Sequence, residues 1–301
     1  MADTLRRPAA AEAAPPAMRT VEGADELRAA VAAWRQAGQR IGFVPTMGAL
    51  HEGHLDLVRR SRELAERTVV SIFVNPTQFG PGEDFERYPR DPEADAALLA
   101  GAGADLLFLP RVGTIYPQGA VTRVRLDGPP AAGLEAAHRL GHFEGVATVV
   151  TILLELVRPD LAVFGEKDAQ QLAVVRRLVR DLHLAAEIVP HPTVREPDGL
   201  AMSSRNAYLS PEERSAATVL HRALAAARES IARGEREADA IRRRMRETLD
   251  AEPLARLDYA EIVDAETFEP LERIRGRVVL PLAVHIGKTR LIDNIHLTVD
   301  A

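Results

Sequence analysis

Two rhythms of apolar and polar residues run along this chain, and the switches between them mark its elements. Helical spacing over residues 24–36 comes first, followed by a short, wholly apolar run at 41–44 with the length and flanks of a buried strand. Pro45 and Gly48 break that run, and histidines stand at 51 and 54. An amphipathic helix is expected after them. Leu57, Val58, Ser61, Leu64 and Ala65 share one face, and Arg59, Arg60, Arg62 and Glu63 share the other. A second apolar run at 68–74 follows at once. Strand, glycine loop, helix, strand is the order of a βαβ unit in a parallel sheet. Such a loop lies at the carboxyl end of its strand, where open α/β sheets bind ligands.

The pattern then repeats. A helix is predicted over 92–100, a strand over 105–109, and an apolar helix over 146–157 introduced by Gly141-His-Phe-Glu-Gly145. A second strong unit has a strand at 161–164, a loop at 165–168 and a helix at 169–182, with another strand at 187–190. This alternation predicts an α/β fold, a Rossmann-like doubly wound parallel sheet over residues 19–193. Past Pro197-Asp-Gly199 the character changes. Helices at 211–233 and 238–249 precede strand-like runs near 257–263 and 278–286, which predicts a second, smaller α+β domain over 194–301. Residues 1–18, rich in Ala and Pro and without a signal-peptide core, read as a disordered extension.

Composition narrows the class. At 301 residues and 46% hydrophobic, with no apolar run of membrane-spanning length, the chain is expected to be a globular cytoplasmic protein with no membrane partner. A formal charge of −6 gives no general attraction to nucleic acid, so an anion site must be a local basic pocket. Cysteine is absent, which removes disulfides and thiolate chemistry. The basic residues are nearly all arginine; the only lysines are Lys167 and Lys288, which makes both suspects for a position that needs a compact ammonium.

The candidate chemistry gathers in four places. Backbone N–H groups at a helix start favour anions, and imidazoles there can donate to phosphate oxygens. His51 and His54 are three residues apart, one short of the H-E-x-x-H zinc spacing, and no cysteine is available as a ligand. Lys167 belongs on the same rim of the sheet and suits a phosphate or a departing pyrophosphate. Its neighbour Asp168 is a natural N-cap, with Gln171 three residues on as in a capping box, so both also have a structural reading. Met202-Ser203-Ser204-Arg205 offers two hydroxyls and a guanidinium to phosphates. In the turn-rich stretch 75–82, the uncharged amides Asn75 and Gln78 suit orienting a small polar substrate, or capping the backbone.

Taken together, Pro45-Thr-Met-Gly-Ala-Leu-His-Glu-Gly-His54, Phe73-Val-Asn-Pro-Thr-Gln-Phe79, Gly141-His-Phe-Glu-Gly-Val146, Phe164-Gly-Glu-Lys-Asp-Ala-Gln-Gln171 and Asp198-Gly-Leu-Ala-Met-Ser-Ser-Arg-Asn206 resemble the pantothenate synthetase family. The resemblance runs in order from about Arg19 to Asn294. The wider group, nucleotidyltransferases and class I aminoacyl-tRNA synthetases, shares a His-x-Gly-His loop and a Lys-Met-Ser-Lys-Ser loop. The second reads Ala201-Met-Ser-Ser-Arg205 here, which with the modest length counts against a tRNA synthetase.

The resemblance implies ATP-dependent condensation of (R)-pantoate with β-alanine through a pantoyl adenylate, giving AMP and pyrophosphate. It implies an ATP site of Met47, Gly48, Ala49, Leu50, His51, Glu52, Gly53, His54, Gly165, Glu166, Lys167, Asp168, Val194, Met202, Ser203, Ser204 and Arg205. Gln78 and Gln171 would hold pantoate. His51, His54 and Lys167 would carry catalysis, with His54 as proton donor. A flexible loop at 80–84 and the second domain would cover the site. Magnesium would bridge the phosphates, with Asp95 where a family acid approaches the metal, and the protein would be a homodimer. Arg139-Leu-Gly-His142 departs from the family's Arg-Pro-Gly-His, so roles for Arg139 and His142 stay open. The rival readings are another nucleotidyltransferase and a non-catalytic ATP-binding paralogue.

Overall fold

The computed structural model describes residues 18–300, so the extension expected over 1–18 lies, Met18 excepted, outside the described residues. Six parallel strands form the first sheet: β1 (Arg19–Val21), β2 (Ile41–Thr46), β3 (Arg67–Ile72), β4 (Leu106–Phe108), β5 (Leu161–Gly165) and β6 (Glu187–His191). Around them lie α1 (Ala24–Gln36), α2 (Glu52–Leu64), α3 (Pro92–Ala102), α4 (Val112–Ile115), α5 (Leu134–His138), α6 (His142–Val157) and α7 (Ala169–Asp181). Successive strand residues point to opposite faces. Phe43, Val69, Leu106 and Phe108 enter a core with α1, α6 and α7, while Val44, Val70 and Leu107 enter another with α2 and α3. Burial on both faces is why these strands read as continuous apolar runs.

The strand order is β1-β4-β3-β2-β5-β6. From β2 the chain builds outward through β3 and β4, then crosses back to place β5 on the other side of β2. The order therefore reverses between β2 and β5, and the loops leaving these two strands open into one crevice.

Two glycines allow close approach around that crevice. A Cβ at Gly42 would lie 2.1 Å from Ser61 Oγ, so glycine lets α2 settle directly on β2. A Cβ at Gly145 would lie 2.4 Å from the Thr77 carbonyl oxygen and 2.7 Å from Gln78 Cα. Helix α6 is thus pressed against the single 3₁₀ turn Pro76–Gln78.

The second body has its own core, including Leu220, Leu224, Ile241, Met245, Leu280 and Val284. It comprises α8 (Pro211–Ala216), α9 (Val219–Ala232), α10 (Ala238–Asp250), β7 (Ala255–Ala260), β8 (Val263–Asp264), β9 (Gly276–Ile286) and β10 (Thr289–Val299). Its sheet is antiparallel, ordered β10-β9-β7, with β8 also on β9. The fold class matches the sequence reading, but several details differ. The helix expected over 211–233 is interrupted, where the Thr218 hydroxyl turns back to donate to the Ser215 carbonyl at 2.8 Å. The run at 257–263 divides into β7 and β8, with a bulge between Leu257 and Tyr259. Strand β10 was not expected, because buried Asp293 and Asn294 interrupt its apolar pattern. Strand β1 is too short to show a period.

Gly145→Ala should cost about 1–3 kcal/mol, as overpacking does. Gly101→Ala, in α3 with nothing within 4 Å of its Cβ position, should be neutral or gain up to about 1 kcal/mol. Denaturant midpoints of the two variants test this; equal effects would mean that α6 does not press on the turn.

Candidate active site

The crevice at the strand reversal continues into a cleft beneath the second body. The β2 loop and first turn of α2 supply Met47, His51, Gly53 and His54, and the β5 loop supplies Gly165, Lys167 and Asp168. Gln171 on α7, Gln78 after β3, Val194 beyond β6, and Met202, Ser203, Ser204 and Arg205 complete the sequence-predicted set around it. Five expected residues do not line the cleft. Glu52 turns outward to Arg59 at 2.5 Å, and Glu166 offers its carbonyl to Asn294. Gly48, Ala49 and Leu50 instead shape the loop itself.

That loop needs a left-handed backbone. Gly48 has φ +79° and Ala49 φ +51°, and a Cβ at Gly48 would sit 2.9 Å from Asp95 Oδ2. Asp95, almost fully buried, accepts from Ala49 N at 2.9 Å and Leu50 N at 2.8 Å. Both carboxylate oxygens therefore anchor the loop, which gives Asp95 a structural role here. The sequence held a signal for this anchor: one acid inside the apolar run Ala94-Asp-Ala-Ala-Leu-Leu99.

Helix α2 starts at Glu52, so His51 is its N-cap residue and His54 lies in the first turn rather than ahead of the helix. The two rings pack together, tilted by 39° with centroids 4.1 Å apart. His54 Nδ1 accepts from the His51 backbone N–H at 3.3 Å, which leaves the proton of a neutral ring on Nε2. Burial, then the Lys167 charge, pushes His51 down to about 4. Burial, then His51 and Lys167, pushes His54 down to about 3. At neutral pH the ligand-free site thus holds two uncharged imidazoles beside an ammonium.

The amides divide by role. Asn75 is a scaffold: its Oδ1 accepts from Thr77 N and the Tyr116 hydroxyl, and its Nδ2 donates to Gly145 O and Gln78 Oε1. Gln78 is held in turn, with Nε2 3.1 Å from Met47 Sδ. Asp168 makes no side-chain cap, so the capping-box reading with Gln171 does not hold. Gln170 is the structural one of the pair, bonded to the backbone of Pro130, Ala132, Gly133 and Glu135.

Charge holds the 83–84 segment against the cleft. Asp84 takes the Arg205 guanidinium through two hydrogen bonds of 2.9 and 3.0 Å, and Glu83 takes Arg139 at 2.6 Å. Burial would raise the Asp84 carboxyl, but Arg205 outweighs it and holds it below the usual range. Ser204 Oγ donates to the Ala49 carbonyl at 3.0 Å, tying the second body's loop to the β2 loop. His142 contacts the Gln78 carbonyl at 2.9 Å and Arg139 at 3.1 Å, so both residues left open by the sequence brace the Gln78 turn. The apolar floor (Leu57, Phe73, Val146, Val149, Val150 and Leu153) was not singled out in advance; its signal was the apolar face of the helix over 146–157. Among the described residues no group of three or more His, Cys, Asp and Glu is arranged to hold a metal ion.

Residues 19–296 match the family model described as pantoate-beta-alanine ligase. The chain belongs to that family. It is 56% identical over 270 residues to the pantothenate synthetase of Moorella thermoacetica, covering 90% of this chain and 95% of that one. With the Heliobacterium modesticaldum pantothenate synthetase it shares 55% over 278 residues, covering 92% and 99%. The crystal structure of the Thermus thermophilus enzyme superposes with a TM-score of 0.88 at 54% identity, covering 92% and 99%. A Francisella tularensis pantoate-beta-alanine ligase, solved with beta-gamma ATP and beta-alanine, gives 0.76 at 34%, covering 93% and 97%.

For a ligase of this family the depressed histidines have a measurable signature. The unfolded chain takes protons near pH 6.5 that folded His54 refuses until about pH 3. More protons bind the unfolded state across that window, so stability is full above pH 6.5 and falls as pH drops through it. One such group contributes a slope of about 1.4 kcal/mol per pH unit. His54→Gln should flatten the acid-side loss of the ligand-free protein between pH 6.5 and 4.5, measured by denaturant midpoints. An unchanged slope would show that His54 is not held neutral.

Proposed function

We propose that this chain condenses (R)-pantoate with β-alanine at the expense of ATP, forming pantothenate, AMP and pyrophosphate through pantoyl adenylate. Family membership over residues 19–296 supports the reaction. The juxtaposition of His51, His54 and Lys167 at the strand reversal is the single observation that carries the site assignment.

In the first half-reaction a pantoate carboxylate oxygen attacks the α-phosphorus in line. The bond to the bridging oxygen breaks, and its electron pair leaves with pyrophosphate. Such a step depends on positioning and charge stabilisation more than on proton transfer. Lys167 opposes the charge that builds on the leaving group. His51 and His54 act as neutral N–H donors to phosphate oxygens, since burial and the Lys167 charge disfavour their protonation. This modifies the proton-donor role expected for His54: a charged imidazole there requires the polyphosphate's own negative charge beside it. Asp84 occupies the Nε and Nη2 side of the Arg205 guanidinium, so an anion that takes Arg205 alongside Asp84 binds through the remaining N–H groups.

Gln78 and Gln171 face the apolar floor and suit the hydroxyl and carboxylate oxygens of pantoate, whose dimethyl carbon matches the valines of α6. In the second half-reaction the β-alanine amine attacks the acyl carbon, the carbon–oxygen bond to phosphate breaks, and AMP departs as the amine loses a proton. The cover of Asp84 and Arg205 keeps the adenylate from water. Magnesium would be carried on the nucleotide's phosphates and would offset their charge, since among the described residues no group of three or more His, Cys, Asp and Glu is arranged to hold it. A cytoplasmic homodimer completes the proposal; no described helix is long and apolar enough to cross a membrane.

Exchange of labelled pyrophosphate into ATP should require pantoate and proceed without β-alanine, whereas AMP should be released only when both are present. Exchange that ignored pantoate would overturn the reaction. Lys167→Ala should lower pantoate-dependent exchange by about a hundredfold or more, as loss of one charge-stabilising group does, with the thermal midpoint little changed.

A further inference from the structure

Lys167 owes its place to the second body. Glu166 to Asp168 form a single 3₁₀ turn between β5 and α7. Two carbonyls of that turn are taken by one side chain on β10: Asn294 Nδ2 donates to Glu166 O at 2.9 Å and to Lys167 O at 2.7 Å. Two carbonyl acceptors fix the amide's orientation, since its oxygen could satisfy neither. Asn294 is only 3% exposed, and its Oδ1 is buried with no partner.

The neighbouring residue fixes the frame from which Asn294 reaches. Asp293 is 2% exposed and grips Arg195 through two hydrogen bonds of 2.7 and 2.9 Å. Arg195 also donates to the carbonyls of Gly199 and Asn294. It bridges to Ala201 in antiparallel fashion, and Met202 N donates to Val194 O, so this grip reaches the start of the Met202–Arg205 loop. One dipeptide on β10 therefore bonds the backbone of the Lys167 turn directly and reaches the Met202–Arg205 loop through Arg195.

We propose that Asn294 is a positioning residue for the adenylation step: it acts through the Lys167 backbone, placing the ammonium against the leaving group from a strand of the other body. This rests on the reading of Lys167 as the phosphate-holding cation. Small displacements of such a group are costly, about a hundredfold in rate for an ångström. A residue acting only through Lys167 lowers the maximal rate of exchange, leaves KM for pantoate alone, and has nothing left to do once Lys167 is gone.

The test is a double-mutant cycle read by pantoate-dependent exchange of labelled pyrophosphate, with thermal unfolding of each variant alongside. Asn294→Leu should lower the maximal rate about ten- to a hundredfold. Asn294→Ser, which keeps one donor, should fall between it and the parent and serves as the measurement if the leucine variant does not fold. In the Lys167→Ala background either change should cost nothing more. Parental rates in the folded Asn294 variants, or losses that multiply in the double variants, would overturn the proposal. A Lys167→Ala enzyme with normal exchange would sink the phosphate reading of Lys167, and the positioning role with it.

Discussion

The pairing of β5 beside β2 is the constraint on which the site depends. The chain makes β2, β3 and β4 in sequence, then returns to lay β5 on the vacant side of β2. Right-handed crossovers place the helices after β2 and β5 on opposite faces of the sheet, so nothing fills the space above the two strand ends. Loops more than a hundred residues apart thereby share one crevice. The histidine loop supplies donors at a helix start, and the β5 loop supplies the ammonium. Neither would be more than a weak anion site alone.

Charge is then apportioned by burial. A cleft meant for a polyphosphate profits from positive potential, yet a buried cation without a partner is costly. The structure meets both demands by sorting its groups. The two histidines stay neutral beside Lys167, which avoids three adjacent charges. Arg139 and Arg205 remain charged and are matched by Glu83 and Asp84 from the covering loop. Glu83 and Asp84 thus leave Lys167 as the cation of this cleft without an acidic partner among the described salt bridges.

Much of this was legible in sequence, for identifiable reasons. The parallel strands are buried on both faces, so they appear as continuous apolar runs. The glycine loops at their ends mark the helix starts where His51 and Lys167 stand. Contacts made by backbone were far less legible. The anchoring role of Asp95 was hidden because nothing in its residue type says that its oxygens go to Ala49 and Leu50 amides. Gln170 and Gln171 are adjacent and chemically identical, and only the packing of α7 decides which one holds backbone and which one faces the cleft. Strand β10 was hidden by the polar pair that gives it its importance.

That last case bears on what the second body is for. A cover that merely closed over the substrate would contact the first body through its loops, as Ser204 and Arg205 do. Strand β10 does something different: it sits beneath the Lys167 turn and bonds its carbonyls from the interior. Glu135 of α5 adds a second interior tie, accepting from Arg290 and the Tyr259 hydroxyl of the antiparallel sheet. Breaking ties of this kind would strip partners from buried polar groups on both sides, which is far costlier than parting exposed surface pairs. Separation of the two bodies along β10 is therefore costly, and the Asp84–Arg205 pair, itself largely shielded from water, adds to the same hold.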